Sequence, residues 1–177
     1  MAGGVEKLLA IDEYFQALVD FHWERVELIE GVVHPKKPTF RRNVNVSKNV
    51  ATALRLAFPA AQVFEEGSLA MPPDTCLEPD LFVWTGEGRP PHGDPVPAST
   101  VALVVEISVT TTSKDLGVKA HLYAQAGIGE YWVVDCSTDQ PSLIRHTNPV
   151  DGVYGHMAHT ELASLARGLD AAAILAS

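Results

Sequence analysis

The sequence predicts a single α/β domain in which helices pack on a mixed β-sheet. Three observations carry this. Residues 101–107 are apolar except for Glu106, the pattern of a central strand covered on both faces. Val46, Val50, Ala53, Leu54 and Ala57 recur at helical spacing and form one stripe. Short apolar runs such as 80–84 and 130–135 are interleaved with helical stretches along the chain. A length of 177 residues fits one domain, enough to bury roughly 70% of the surface its unfolded chain exposes.

The elements follow in order. Residues 11–21 read as a helix, with Asp12 as its cap and Tyr14, Phe15, Leu18 and Val19 on one side. Residues 26–33 alternate Val26 and Leu28 against Glu27, a strand interrupted near Gly31. Residues 35–38 are a connector. Residues 43–58 are helical and Pro59 ends them. Residues 62–70 read as a strand, Pro72-Pro73-Asp74 as a turn and 80–84 as a short strand. The Gly- and Pro-rich stretch 86–99 is a surface loop. After the central strand, 110–113 is a polar connector whose Ser113 caps the next helix, 114–126, stopped by Gly127. Residues 130–135 and 142–147 are strands around a turn at Asp139-Gln140-Pro141. Residues 158–166 read as helical and 169–176 as alanine-rich. There is no internal repeat, second domain or low-complexity linker. One domain spans 1–177, with 151–177 as a C-terminal extension.

Composition narrows the function classes. The apolar fraction of 46% is ordinary. A net charge of -9 argues against broad electrostatic attraction to nucleic acid, although basic residues cluster at Lys36, Lys37, Arg41, Arg42 and Lys48. Cys76 and Cys136 lack metal-type spacing and read as free buried thiols in a reducing cytosol. Residues 1–20 carry acids and lack a cationic start, so no signal peptide is expected. No run approaches the ~20 apolar residues of a membrane span. A soluble cytoplasmic protein is expected. Gly86-Glu87-Gly88 lacks the frame of a dinucleotide site, and there is neither a Gly-Lys-Ser/Thr sequence nor a Gly-x-Ser-x-Gly elbow. His156 and His159 lack further zinc ligands and read as surface residues. Trp132 reads as core and Trp84 as core or edge.

The chemistry gathers in three short segments: Glu78-Pro79-Asp80, Glu106 at the close of its apolar run, and Asp115-Leu116-Gly117-Val118-Lys119. Asp80 opens one strand and Glu106 nears the end of the next. Were those strands neighbours, both carboxylates would meet at one sheet edge and could hold a hard divalent cation, with the Ile107 carbonyl as a further ligand. A cation so held activates water against a phosphodiester. Lys119 lies four residues after Asp115 on a helix, with Tyr123 one turn further on the same face. Taken alone, Asp115 and Lys119 read as a solvated ion pair. Glu106 resists such a reading, because a glutamate in an aliphatic strand needs a partner if buried. Ser108, Thr110 and Thr111 read as turn and helix entry rather than nucleophiles.

A longer pattern runs through these residues. Pro79-Asp80-Leu81-Phe82-Val83 is followed by Val104-Val105-Glu106-Ile107-Ser108 and Thr110-Thr111. Then come Asp115-Leu116-Gly117-Val118-Lys119 and the stretch from Tyr123 through Glu130-Tyr131-Trp132-Val133-Val134-Asp135. With Val26-Glu27-Leu28-Ile29-Glu30-Gly31, it resembles the Uma-type putative restriction endonuclease family of the PD-(D/E)XK nuclease superfamily, over about residues 10–150. The resemblance implies a restriction-endonuclease-like core, a mixed β-sheet flanked by helices, that hydrolyses DNA with magnesium or manganese. Asp80 and Glu106 would be the metal ligands and Glu27 an additional acid at the site. The superfamily lysine, usually two residues after the second acid, is replaced by Ser108. Lys119, on the next helix, would take its role. Phe40-Arg41-Arg42-Asn43 lacks a histidine common in the family, and Val109 stands where relatives often carry an acid. Two function classes follow: a metal-dependent DNA endonuclease acting as a homodimer, or a catalytically silent binding or scaffold protein that keeps the fold.

Overall fold

The computed structural model describes residues 8–36, 41–59, 62–87, 95–109, 115–162 and 165. Among these, the chain forms two mixed sheets flanked by three helices. The α/β class stands, with two sheets where one was expected.

Helix α1 (Ile11–Phe21) covers the expected span and buries Tyr14 and Ala17. Its cap differs from expectation. Asp12 lies within the first turn, and the cap is Ala10, whose backbone N–H donates to Glu13 Oε2 at 3.0 Å. A carboxylate three residues along satisfies that orphan amide, while Asp12 faces the positive end of the helix dipole. Residues 26–33 fall in a hairpin, β1 (Val26–Ile29) and β2 (Val32–Pro35). Its two-residue turn, Glu30-Gly31, has φ of 49° and 79°, the geometry whose twist matches paired strands.

The expected strand 62–70 is divided between the sheets. β3 (Val63–Glu65) and β4 (Leu69–Met71) are separated by Glu66 and Gly67 at φ 56° and 147°, which carry the chain from one sheet to the other. β5 (Thr75–Leu77) and β7 (Val96–Pro97), neither expected, complete the first sheet in the order β2–β1–β5–β4–β7. The second sheet contains β6 (Leu81–Trp84), β8 (Val101–Ser108), β9 (Glu130–Asp135), β10 (Ser142–Val150) and β11 (Val153–Glu161). Its order is β11–β10–β9–β8–β6–β3, with β8 parallel to β9 and antiparallel to β6. The helix expected over 158–166 gives way, through Glu161, to the end of β11. Backbone pairing with β10 overrides local helix preference there. The alanine-rich 169–176 and the connector 110–113 with Ser113 lie outside the described residues.

Helix α2 (Arg41–Ala57) and a short α3 (Ala120–Gln125), entered through one π-helical turn at Asp115–Lys119, cover opposite faces of the second sheet. α3 is shorter than the 114–126 expected. It ends as expected, with Gly127 at φ 76° and paired N–H bonds from Gly127 to Ala124 O and from Ile128 to Tyr123 O.

Alternation along each strand positions the site. Leu103, Val105 and Ile107 pack with Val50, Ala51 and Leu54 of α2. Val104 faces the other way, into a cluster with Leu69 and Leu77 of the first sheet and Tyr123 of α3. Glu106 therefore points between the two sheets. Trp132 and Trp84 are core residues. Cys76 and Cys136 are free and buried, and burial pushes the Cys76 thiol up to about 12. His156 and His159 are exposed, and their odd spacing puts them on opposite faces of β11. Among the described residues, no helix is long and apolar enough to cross a membrane.

Candidate active site

Strand parity brings three carboxylates toward the space between the sheets. Glu27 shares its side of β1 with Ile29, which packs in the same cluster as Val104. The β6–β8 register pairs Leu81 with Val105, so Asp80 comes one step later beside Glu106. The two strands are neighbours, as the convergence of Asp80 and Glu106 requires. Asp80 Oδ2 accepts the Ile107 backbone N–H at 2.6 Å, which ties the first acid to the strand bearing the second.

Lys119 leaves the π-helical turn and enters this space. Its ammonium lies 2.9 Å from Glu27 Oε1 and 2.8 Å from Glu106 Oε1. All three residues are buried, at 5%, 2% and 6% exposure. Lys119 is buried in this bridge rather than solvated, and the Asp115 side chain lies outside the described residues. Tyr123, four residues after Lys119 and fully buried, donates its hydroxyl to the same Glu106 Oε1 at 2.9 Å. Glu27 Oε1 also accepts the Glu78 backbone N–H at 3.2 Å. Lys36 Nζ in turn donates to the Glu78 carbonyl at 2.9 Å and to its carboxylate at 3.2 Å. A continuous polar network thus joins the first sheet, β8 and α3.

Sequence reasoning had Glu27, Asp80, Glu106 and Lys119 in hand, and the structure gathers Glu27, Glu106 and Lys119 into one hydrogen-bonded cluster with Asp80 next to Glu106 in register. It had not assigned work to Tyr123 or to the Glu78 backbone. The i,i+4 step from Lys119 placed Tyr123 on the right face, whereas nothing local in the sequence predicts a backbone amide of residue 78 beside Glu27.

Burying ions is expensive unless they are paired and hydrogen-bonded, and each group here has partners. For Glu27, burial pushes the carboxyl upward. The charge and hydrogen bond of Lys119, the charge of Lys36 and the Glu78 amide outweigh it, so the net displacement is below the ordinary carboxylate value. For Tyr123, burial and then the Glu106 charge push the phenol well above its usual range, which keeps the hydroxyl a donor.

Among the described residues, no group of three His, Cys, Asp or Glu side chains is arranged to hold a metal ion. A magnesium-type site needs less from the protein: one or two carboxylates, with waters and substrate phosphate completing the shell. Asp80 and Glu106, on adjacent strands, supply hard oxygen donors of that kind. The donor set fits such an ion.

Comparison with known proteins bears on the same residues. The family model Uma2, described as a putative restriction endonuclease, matches residues 11–173. A crystal structure described as a putative nuclease belonging to DUF820, from Anabaena variabilis ATCC 29413, is similar at a TM-score of 0.61 and 14% identity. The match covers 95% of this chain and 98% of that one. At that identity the likeness speaks for the fold. No curated protein matches. The family match spans nearly the whole chain and takes in Glu27, Asp80, Glu106 and Lys119, so this chain belongs to the Uma2 putative restriction endonuclease family.

Proposed function

We propose that the chain is a divalent-metal-dependent endodeoxyribonuclease, a hydrolase of DNA phosphodiester bonds. The observation that carries this reading is the buried Glu27–Lys119–Glu106 bridge with Asp80 next to Glu106 on the adjoining strand. Asp80, Glu106 and the Ile107 carbonyl would hold magnesium or manganese. Bound there, the ion would polarise a phosphoryl oxygen and lower the pKa of a water.

The chain's own side chains do the rest. Lys119 places a fixed positive charge where negative charge develops on the phosphate and orients the attacking water. Glu27 directs that ammonium, through a bond that leaves Lys119 tethered to the first sheet. Asp80, bonded to the Ile107 amide, is held in register with Glu106. A homodimer would bring two such sites to the two strands of a duplex.

The net charge of -9 favours a second reading, a binding or scaffold protein that keeps the fold without cutting. Incubation of supercoiled plasmid with wild type, Asp80→Asn and Glu106→Gln in magnesium or manganese separates the two. Nicked and linear products from wild type alone, with all three proteins equally folded by circular dichroism, support the nuclease. Intact plasmid throughout, alongside equal manganese titrations for wild type and both variants, leaves the binding protein.

A further inference from the structure

Among the described residues of the buried cluster, Tyr123 has no part in the proposed reaction. Its ring packs against Tyr131 at 4.9 Å, and Tyr131 stacks on His146 and Tyr154. A buried phenol needs a hydrogen-bond partner, and a backbone carbonyl would serve. Tyr14 donates to Val26 O, and Tyr154 donates to Ile128 O. Tyr123 instead donates to Glu106 Oε1, the same oxygen that receives Lys119.

That choice of acceptor has a geometric consequence. The terminal torsion of a glutamate is broad, so one hydrogen bond leaves its carboxylate free to rock. Two donors converging on one oxygen, four residues apart on the same turn of chain, restrict that rotation. The direction of the second oxygen is then set as well. Tyr123 is itself held by the aromatic packing around its ring, so the constraint on Glu106 is anchored in the core.

We infer that Tyr123 is a positioning residue for the proposed metal centre, acting through Glu106 to orient its carboxylate toward the cation. This rests on the nuclease reading above, and the test keeps the two apart. Manganese is titrated calorimetrically into wild type, Tyr123→Phe and Tyr154→Phe. Each variant loses one hydroxyl and retains its ring: the Tyr123 hydroxyl is buried on the Glu106 carboxylate, and the Tyr154 hydroxyl is half-buried on a backbone carbonyl away from the acids. Tyr123→Phe is expected to bind manganese about 10-fold more weakly, with Tyr154→Phe matching wild type.

Wild-type affinity in Tyr123→Phe overturns the inference, and so does equal weakening in both variants, which would mean a general loosening of the core. Failure of wild type itself to bind manganese, with and without DNA present, overturns the nuclease reading and this inference with it. Should Tyr123→Phe be largely unfolded in buffer, the three titrations are run in sucrose, which favours the folded state and gives the same comparison.

Discussion

On one face of β8, Leu103, Val105 and Ile107 meet Val50, Ala51 and Leu54 of α2 across a wholly apolar layer. On the other face, the apolar series stops at Val104, and Glu106 meets a lysine, a tyrosine and, through the lysine, a second glutamate. The two layers share one strand and differ in what they do for the protein. The α2 layer removes hydrocarbon from water and is non-directional, so it stabilises the fold without selecting a particular atom arrangement. The opposite layer has an apolar cluster of its own and in addition buries ions, which contribute little net stability but fix four side chains from three parts of the sequence. Both faces of the sheet carry an apolar core, and the buried ions sit within the one that faces the first sheet. The ion pair at the edge of the α2 layer, Arg55 with Glu65 at 2.8 Å, is more than a third exposed and belongs to neither class.

The sharpest way to break this contrast is Lys119→Met. It leaves Glu27 and Glu106 facing one another without their shared cation. A loss of about 3–5 kcal/mol in urea unfolding is expected, with plasmid cleavage reduced by about 100-fold or more. A variant as stable as wild type would mean that the bridge is not buried in solution. Leu103→Ala probes the other face. The cavity should cost about 2–5 kcal/mol, yet manganese affinity of the folded fraction should stay at the wild-type value. A parallel loss of metal binding would show the two layers to be coupled.

Glu27 sharpens the contrast through pH. Its folded-state pKa lies below the ordinary 4.5. Its contribution is therefore fully present above that value and is lost as pH falls through the lower folded value. The difference in unfolding free energy between wild type and Glu27→Gln should be flat above pH 4.5 and shrink below it. A difference that instead grows on acidification would reverse the sign of the Lys119 effect. The smallest change is expected from Arg55→Ala, within about 1 kcal/mol and weakened further by salt, because water already screens that pair.

Particular residues show how far local information reaches. Helix α1 and strand β9 have the same bounds in sequence and structure, because hydrophobic periodicity of the right length is a local property. The 62–70 stretch failed as one strand since its division depends on Glu66 and Gly67 turning toward a second sheet, which no short window contains. β5 and β7 are too short to carry a period of their own. Residues 158–161 were misread as helix because β11 exists only through its pairing with β10. Asp80 and Glu106 were legible as acids at strand positions and Lys119 as a lysine on the following helix, since strand position and helix spacing are encoded close by.

Glu27 marks the boundary between the two kinds of information. The sequence by itself determined the residue types of the site, the central strand that bears Glu106, and the i,i+4 step that puts Lys119 and Tyr123 on one face. Those follow from periods of two and 3.6 along a local chain. Only the tertiary structure decided that Lys119 reaches Glu27 and Glu106 rather than solvent. Residue 27 is 92 positions from Lys119, and a contact between them depends on how two sheets stack. The energy of such a contact comes from burial and shared hydrogen bonds, which no stretch of sequence possesses before the sheets close over it.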